Sequence, residues 1–175
     1  GEIWSVDFDG ASAPMYGEFE IQLTFDVAGT SCSVSGSVNA SPPVQSCNSI
    51  SSGSLEVNAS GDGIQLGVTN NNSLPIYLKS THFVWDAQVP AQSVDFFSFN
   101  GSQYYGGNDA SSPTDASSNV ELASSDSDTW AADFTPDYDI SGDFQVDLTF
   151  ELNDGTTCPA VSKSGTISSG GGGFD

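Results

Sequence analysis

The 175-residue chain carries 23 acidic residues against two lysines, no arginine and one histidine, a formal net charge of −21. Phosphate backbones and anionic headgroups are bound by clustered Lys and Arg, so nucleic acid and charge-driven membrane docking are excluded as partners. No apolar run reaches the roughly 18 residues of a membrane-spanning helix, so no membrane insertion is expected.

Self-repulsion of this size opposes a compact state unless cations screen or bind it. It therefore reads as the solvated surface of a secreted protein, as adaptation to high salt, or as use of divalent cations. Apolar residues make up only 37% of the chain, but three Trp, five Tyr and eleven Phe supply large buried area per residue, enough to build a core. A first residue of Gly1 rather than Met fits a processed secretory product.

In chain order, the first expected strand covers residues 3–8. Trp4, Val6 and Phe8 alternate with Ser5 and Asp7, and Ile3 precedes them. A strand so near a terminus either completes its own sheet or pairs with a neighbour's open edge, as in donor-strand complementation. Residues 17–27 follow, with Phe19, Ile21, Leu23, Phe25 and Val27 on one face and Glu18, Glu20, Gln22, Thr24 and Asp26 on the other. That period-2 alternation is the signature of a half-buried antiparallel strand. Further strands are expected at 33–40, 54–57, 63–68, 76–79, 83–86, 94–99 and 120–123, separated by Gly, Asn, Pro and Ser clusters. Residues 42–52 and 104–129 read as long loops.

Residues 142–152 repeat the earlier pattern, with Phe144, Val146, Leu148, Phe150 and Leu152 inward. GEFEIQLTFDV at 17–27 aligns with GDFQVDLTFEL at 142–152 without a gap. Each is preceded by a tryptophan segment, Trp4-Ser-Val-Asp-Phe8 or Trp130-Ala-Ala-Asp-Phe134. Each is followed by a cysteine, Cys32 or Cys158, and then by S-G-S-V or S-G-T-I. Duplication explains these flanks better than chance does. The expected fold is all-β: an antiparallel β-sandwich of Greek-key or jelly-roll type over residues 1–169, with related halves near 1–40 and 128–169. A Gly-rich tail at 170–175 completes the chain.

Three cysteines allow one disulfide and one leftover thiol in an oxidising compartment. The short loop favours Cys32–Cys47, with Cys32–Cys158 as the rival. The segment Asp137-Tyr-Asp139-Ile-Ser141-Gly142-Asp143 has the D-x-D-x-S-G-D shape of a calcium loop, whose alternate oxygens converge on one Ca2+ ion. Leu148 at its twelfth position and a following strand rule out an EF-hand, and plain turn-making by Asp, Ser and Gly is the competing reading. Phe96, Phe97, Phe99, Tyr104 and Tyr105 lie near Asn100, Gln103 and Asn108. They form either a sugar-stacking platform or a core strand entering a loop, with the core reading favoured. N-x-S sequons stand at Asn39, Asn58, Asn71 and Asn100.

No GxSxG elbow is present, and His82 is the sole candidate imidazole base. The function expected is that of a secreted, non-catalytic structural subunit of an extracellular assembly. Such a subunit self-associates into a homopolymer, with Ile3, Trp4, Val6 and Phe8 as the donated strand. The alternative is a calcium-dependent carbohydrate-binding or adhesion module with a polysaccharide partner.

Overall fold

A computed structural model describes Ser5 and residues 16–168. The chain divides into two compact units, Gly1–Pro43 and Val44–Asp175, a division that the sequence reading did not draw. Residues 3, 4, 6 and 8, the expected assembly strand, lie outside the described residues, as does the tail at 170–175.

Among its described residues, the first unit holds a two-stranded antiparallel hairpin of β1 (Gly17–Val27) and β2 (Thr30–Ala40). Ala28 and Gly29 both adopt positive φ, at 54° and 82°. A two-residue loop of this kind matches the right-handed strand twist and closes a tight hairpin. Asp26 fixes the turn by accepting the Gly29 N–H at 2.8 Å.

Among its described residues, the second unit is a sandwich of nine strands: β3 (Ile50–Val57), β4 (Gly63–Asn70), β5 (Ile76–Trp85), β6 (Ser93–Phe99), β7 (Ser102–Asp109), β8 (Thr114–Leu122), β9 (Ser127–Thr135), β10 (Gly142–Leu152) and β11 (Val161–Ile167). One sheet has the order β11-β10-β5-β8 and the other β3-β4-β9-β6-β7, with antiparallel pairing throughout. The consecutive strands β4 and β5 lie in different sheets and pair with β9 and β10 respectively. Two long ribbons are thus wrapped together across the sandwich, a Greek-key type of connection.

The alternating apolar residues meet between the sheets. Phe83 of β5 places its ring 5.5 Å from Trp130 and 5.9 Å from Phe97, both on the opposite sheet. Edge-to-face contacts of this kind add to the stabilisation from buried area. Phe99 meets Phe150 at 5.9 Å in the same way. Buried asparagines at the head of the sandwich are satisfied by hydrogen bonds. Asn70 donates to the Leu74 and Ala123 carbonyls and accepts from the Asn72 N–H, while Asn72 accepts the Ser46 N–H at 2.8 Å. Gln45 reaches the Pro75 carbonyl and accepts the Asn153 N–H. The sandwich is therefore pinned from its first residues.

Two expectations change in detail. Residues 76–79 and 83–86 belong to the single strand β5, whose register shifts in pairing with β8 and with β10. The expected loop 104–129 holds most of β7, all of β8 and the start of β9. β7 and β8 are edge strands, rich in Ser, Gly and Asp with few inward apolar residues, and so lack a strong alternation signal. Among the described residues, no helix is long and apolar enough to cross a membrane.

Candidate assembly surface and carboxylate sites

The β1–β2 register puts all the apolar residues of the hairpin on one side. Leu23 faces Val34, Phe25 faces Cys32, and Phe19 faces Val38 across the ladder. The other side pairs Glu18 with Asn39, Glu20 with Ser37, Gln22 with Ser35 and Asp26 with Ser31. Such a face normally rests on a second layer. Here Phe25 is 51% exposed and Val34 62%, and Ile21, Val27 and Val38 are exposed as well. In β10 the corresponding residues Val146, Leu148 and Phe150 are all 0% exposed.

The cysteines correct the sequence reading. Cys47 pairs with Cys158, 111 positions away, and Cys32 is a free, exposed thiol. Neither expected pairing, Cys32–Cys47 nor Cys32–Cys158, forms. Loop length misled the choice, because it ignored which segments the sandwich brings together. Cys47 opens a 3-10 turn capped by Ser46, whose hydroxyl accepts the Asn48 N–H. Cys158 is held beside β10 by its N–H bond to the Phe150 carbonyl at 2.8 Å. Cys32 belongs to the other unit.

The segment 137–143 is an ordered turn organised by two buried glutamines. Gln92 donates to the Pro136 and Tyr138 carbonyls at 2.8 and 2.7 Å. Gln88 donates to the Ser141 carbonyl and accepts the Ser141 N–H. Its acidic side chains diverge. Asp137 and Asp139 are exposed, and Asp139 Oδ1 lies against Gly61. Asp143 accepts from the Thr166 hydroxyl, and its N–H bonds Asp86 Oδ2. Gly142 sits at φ +107°, where an added Cβ would come within 2.9 Å of Asp86; only glycine fits there. Among the described residues, no three His, Cys, Asp or Glu side chains converge as a metal cage. Beside this turn, Val84, Asp86, Asp143, Gln145, Ser164 and Thr166 line an open groove of about 370 Å³.

A carboxylate cluster that sequence spacing did not reveal lies on the five-stranded sheet. Asp133 of β9 is pushed up to about 6, first by burial and then by the charges of Asp62, Asp95 and Asp137. Burial also raises Asp62, but hydrogen bonds from Ser60 and Asn58 outweigh it and hold that carboxyl below the ordinary Asp range. The cluster joins residues from three separate stretches of chain, so no local motif announces it.

On the other sheet, Lys79 and His82 of β5 are flanked by acids. Lys79 lies 3.5 Å from Glu151, and His82 Nδ1 lies 2.7 Å from Asp115 Oδ1.

Most of the aromatic group belongs to the core, with Tyr104 and Tyr105 packed against it and Phe96 half-buried. Phe97 and Phe99 are fully buried. The Tyr104 hydroxyl accepts from Trp130 Nε1 at 2.7 Å and shares a hydrogen bond with Thr81. Burial pushes Tyr104 up to about 12, opposed by those two bonds. Of the sequon asparagines, Asn39 and Asn71 are exposed. Asn58 accepts the Gly61 and Asp62 N–H groups and so scaffolds its own turn. Asn100 donates to the Glu121 carbonyl.

No protein-family model matches the chain, and comparison with curated proteins finds no significant relative.

Proposed function

We propose that the protein is a secreted, non-catalytic structural module of an extracellular assembly: a filament, pilus-like fibre, sheath or surface layer. The observation that carries this reading is the β1–β2 hairpin, with its ordered ladder and its exposed face of Ile21, Phe25, Val27, Val34 and Val38. Two-stranded sheets are marginal alone in water, and large exposed apolar patches mark association surfaces. The surplus of acids supports the reading from the other direction. It makes non-specific association costly and favours contact at a neutral apolar face such as that of β1–β2. The Cys47–Cys158 link supports an oxidising, extracellular setting.

Electron microscopy and sedimentation of the native material test the proposal. Assemblies that dissolve in Phe25→Asp or Val34→Asp variants, with the sandwich still folded, support it. Assemblies indifferent to both substitutions would refute it.

A calcium-dependent carbohydrate-binding or adhesion module is the second reading, favoured by the open groove of mixed polar and apolar lining beside Asp86 and Asp143. Calorimetry against polysaccharides with and without chelator separates the two, because the structural reading expects no heat in either condition.

A further inference from the structure

We infer that β1–β2 is the closing hairpin of a second sandwich of the same kind, joined in tandem to the described one, with its remaining strands encoded before Gly1. The inference rests on the reading of β1–β2 as an element that another body covers, and it names that body.

The equivalence of the two hairpins goes beyond alternation. Residues 17–27 and 142–152 align without a gap, and Trp4-Ser-Val-Asp-Phe8 matches the β9 sequence Trp130-Ala-Ala-Asp-Phe134 in residue order and spacing. The three-dimensional pairing agrees. Phe25 stands opposite Cys32 in the β1–β2 ladder, and the Phe150 carbonyl accepts the Cys158 N–H. The same Phe and Cys thus face each other in both places. The β2 and β11 registers differ by two residues, Ile21 facing Gly36 and Phe144 facing Gly165. A two-residue shift keeps every side chain on its face.

The spacing supplies an independent argument. Cys32 and Cys158 are 126 positions apart (158 minus 32), as are Trp4 and Trp130 (130 minus 4). The sandwich from residue 44 to residue 167 spans 124 residues (167 minus 44, plus one). A repeat distance equal to one sandwich plus a short linker is what tandem copies produce. The three residues 41–43, between the end of β2 and the start of the sandwich, are then that linker, followed by the segment that Gln45, Ser46 and Cys47 pin down.

The equivalence also states what the hairpin lacks. β10 has β5 on the edge away from β11, and its inward face is covered by Phe99 and Phe134 of the opposite sheet. Among the described residues, β1 pairs only with β2. Cys158 has Cys47; Cys32 has no such partner. Another copy of this chain does not supply the cover, because its corresponding place is already filled by its own β10–β11 and its Cys47 is already bonded. The cover is a sandwich that lacks its own closing hairpin, and the tandem arrangement places one immediately upstream.

The test extends the chain with a duplicate of residues 44–126 placed before Gly1. This puts the added Cys47 the same 111 positions before Cys32 that separate Cys47 from Cys158. In the unextended chain, Cys32 is expected to alkylate fully with iodoacetamide and the β1–β2 amides to exchange freely. In the extended chain, Cys32 is expected to resist alkylation, to map by non-reducing peptide analysis to the added Cys47, and to sit among amides protected like those of β10–β11. Cys47→Ser in the added copy alone should free the Cys32 thiol yet leave that protection in place, which separates covering from cross-linking.

The inference is overturned if Cys32 stays reactive and β1–β2 stays unprotected while the downstream Cys47–Cys158 bond is intact. It is equally overturned if the unextended chain protects the hairpin by dimerising through Cys32. In either event the assembly reading survives, provided that Phe25→Asp still dissolves native assemblies. In protein from its source, Cys32 joined to a cysteine upstream of Gly1 supports the inference, and a free Cys32 thiol contradicts it.

Discussion

β1–β2 and β10–β11 are nearly the same hairpin in two situations. Both put Phe, a branched aliphatic, Leu and Phe at alternate positions of the long strand, and both set a cysteine opposite the second Phe. In the sandwich that face is sealed, with Phe150 at 0% exposure; in the terminal unit Phe25 is 51% exposed. The difference teaches that the alternating pattern specifies a strand with a buried face but does not supply the layer that buries it. Where that layer is present, the hairpin becomes part of a core. In β1–β2, where no such layer is found among the described residues, the same residues stay exposed.

The largest expected effect breaks the comparison at the phenylalanines. Phe150→Ala should destabilise the sandwich by about 3–5 kcal/mol, the usual cost of truncating a fully buried Phe. Phe25→Ala should change the stability of the isolated chain by less than about 0.5 kcal/mol, as an exposed site does. Denaturant melts followed by tryptophan fluorescence measure both, and equal costs would show that the two faces are equally buried. The cysteines give the next effect. Cys158→Ser should cost about 2–5 kcal/mol in the same melts, because its bond closes a long loop. Cys32→Ser should cost nothing measurable.

A smaller effect belongs to the sandwich alone. Asp133 titrates near 6 in the fold, above the ordinary Asp value of 3.8. The folded state therefore binds more protons than the unfolded chain between about pH 4 and 6. The stability linked to Asp133 is present below that window and lost as pH rises through it. Asp133→Asn should flatten this slope and stabilise the protein at pH 7 by about 1 kcal/mol, once the shift is discounted for solvent screening. Melting curves at pH 4, 6 and 7 check the sign; a variant less stable at pH 7 would contradict it. The smallest effect is that of salt. Raising ionic strength should stabilise the whole acidic chain modestly by shortening the Debye length, without altering the contrast between the hairpins.

Much of this fold was legible because the central strands alternate strictly. Residues 17–27 and 142–152 were bounded correctly, and the all-β sandwich follows from them. β7 and the first part of β8 escaped because edge strands need only a few inward residues, as Tyr104 and Ala116 show; the strand expected at 120–123 marks only the end of β8. The Cys47–Cys158 bond escaped because the sequence offers loop length, whereas pairing depends on which turn the sandwich delivers beside β10. The carboxylate cluster around Asp133 escaped for the same reason, its members being brought together only by sheet order. Gln88 and Gln92, which clip the 137–143 turn, carry no sequence signal that separates them from surface glutamines.

Amide hydrogen exchange on the monomeric 175-residue chain tests the central claim most directly, because it reads both hairpins in one sample. β10–β11 amides protected to the level of global unfolding, with β1–β2 amides exchanging orders of magnitude faster, is the result predicted for one covered and one uncovered copy. Comparable protection of the two hairpins in the monomer would contradict it.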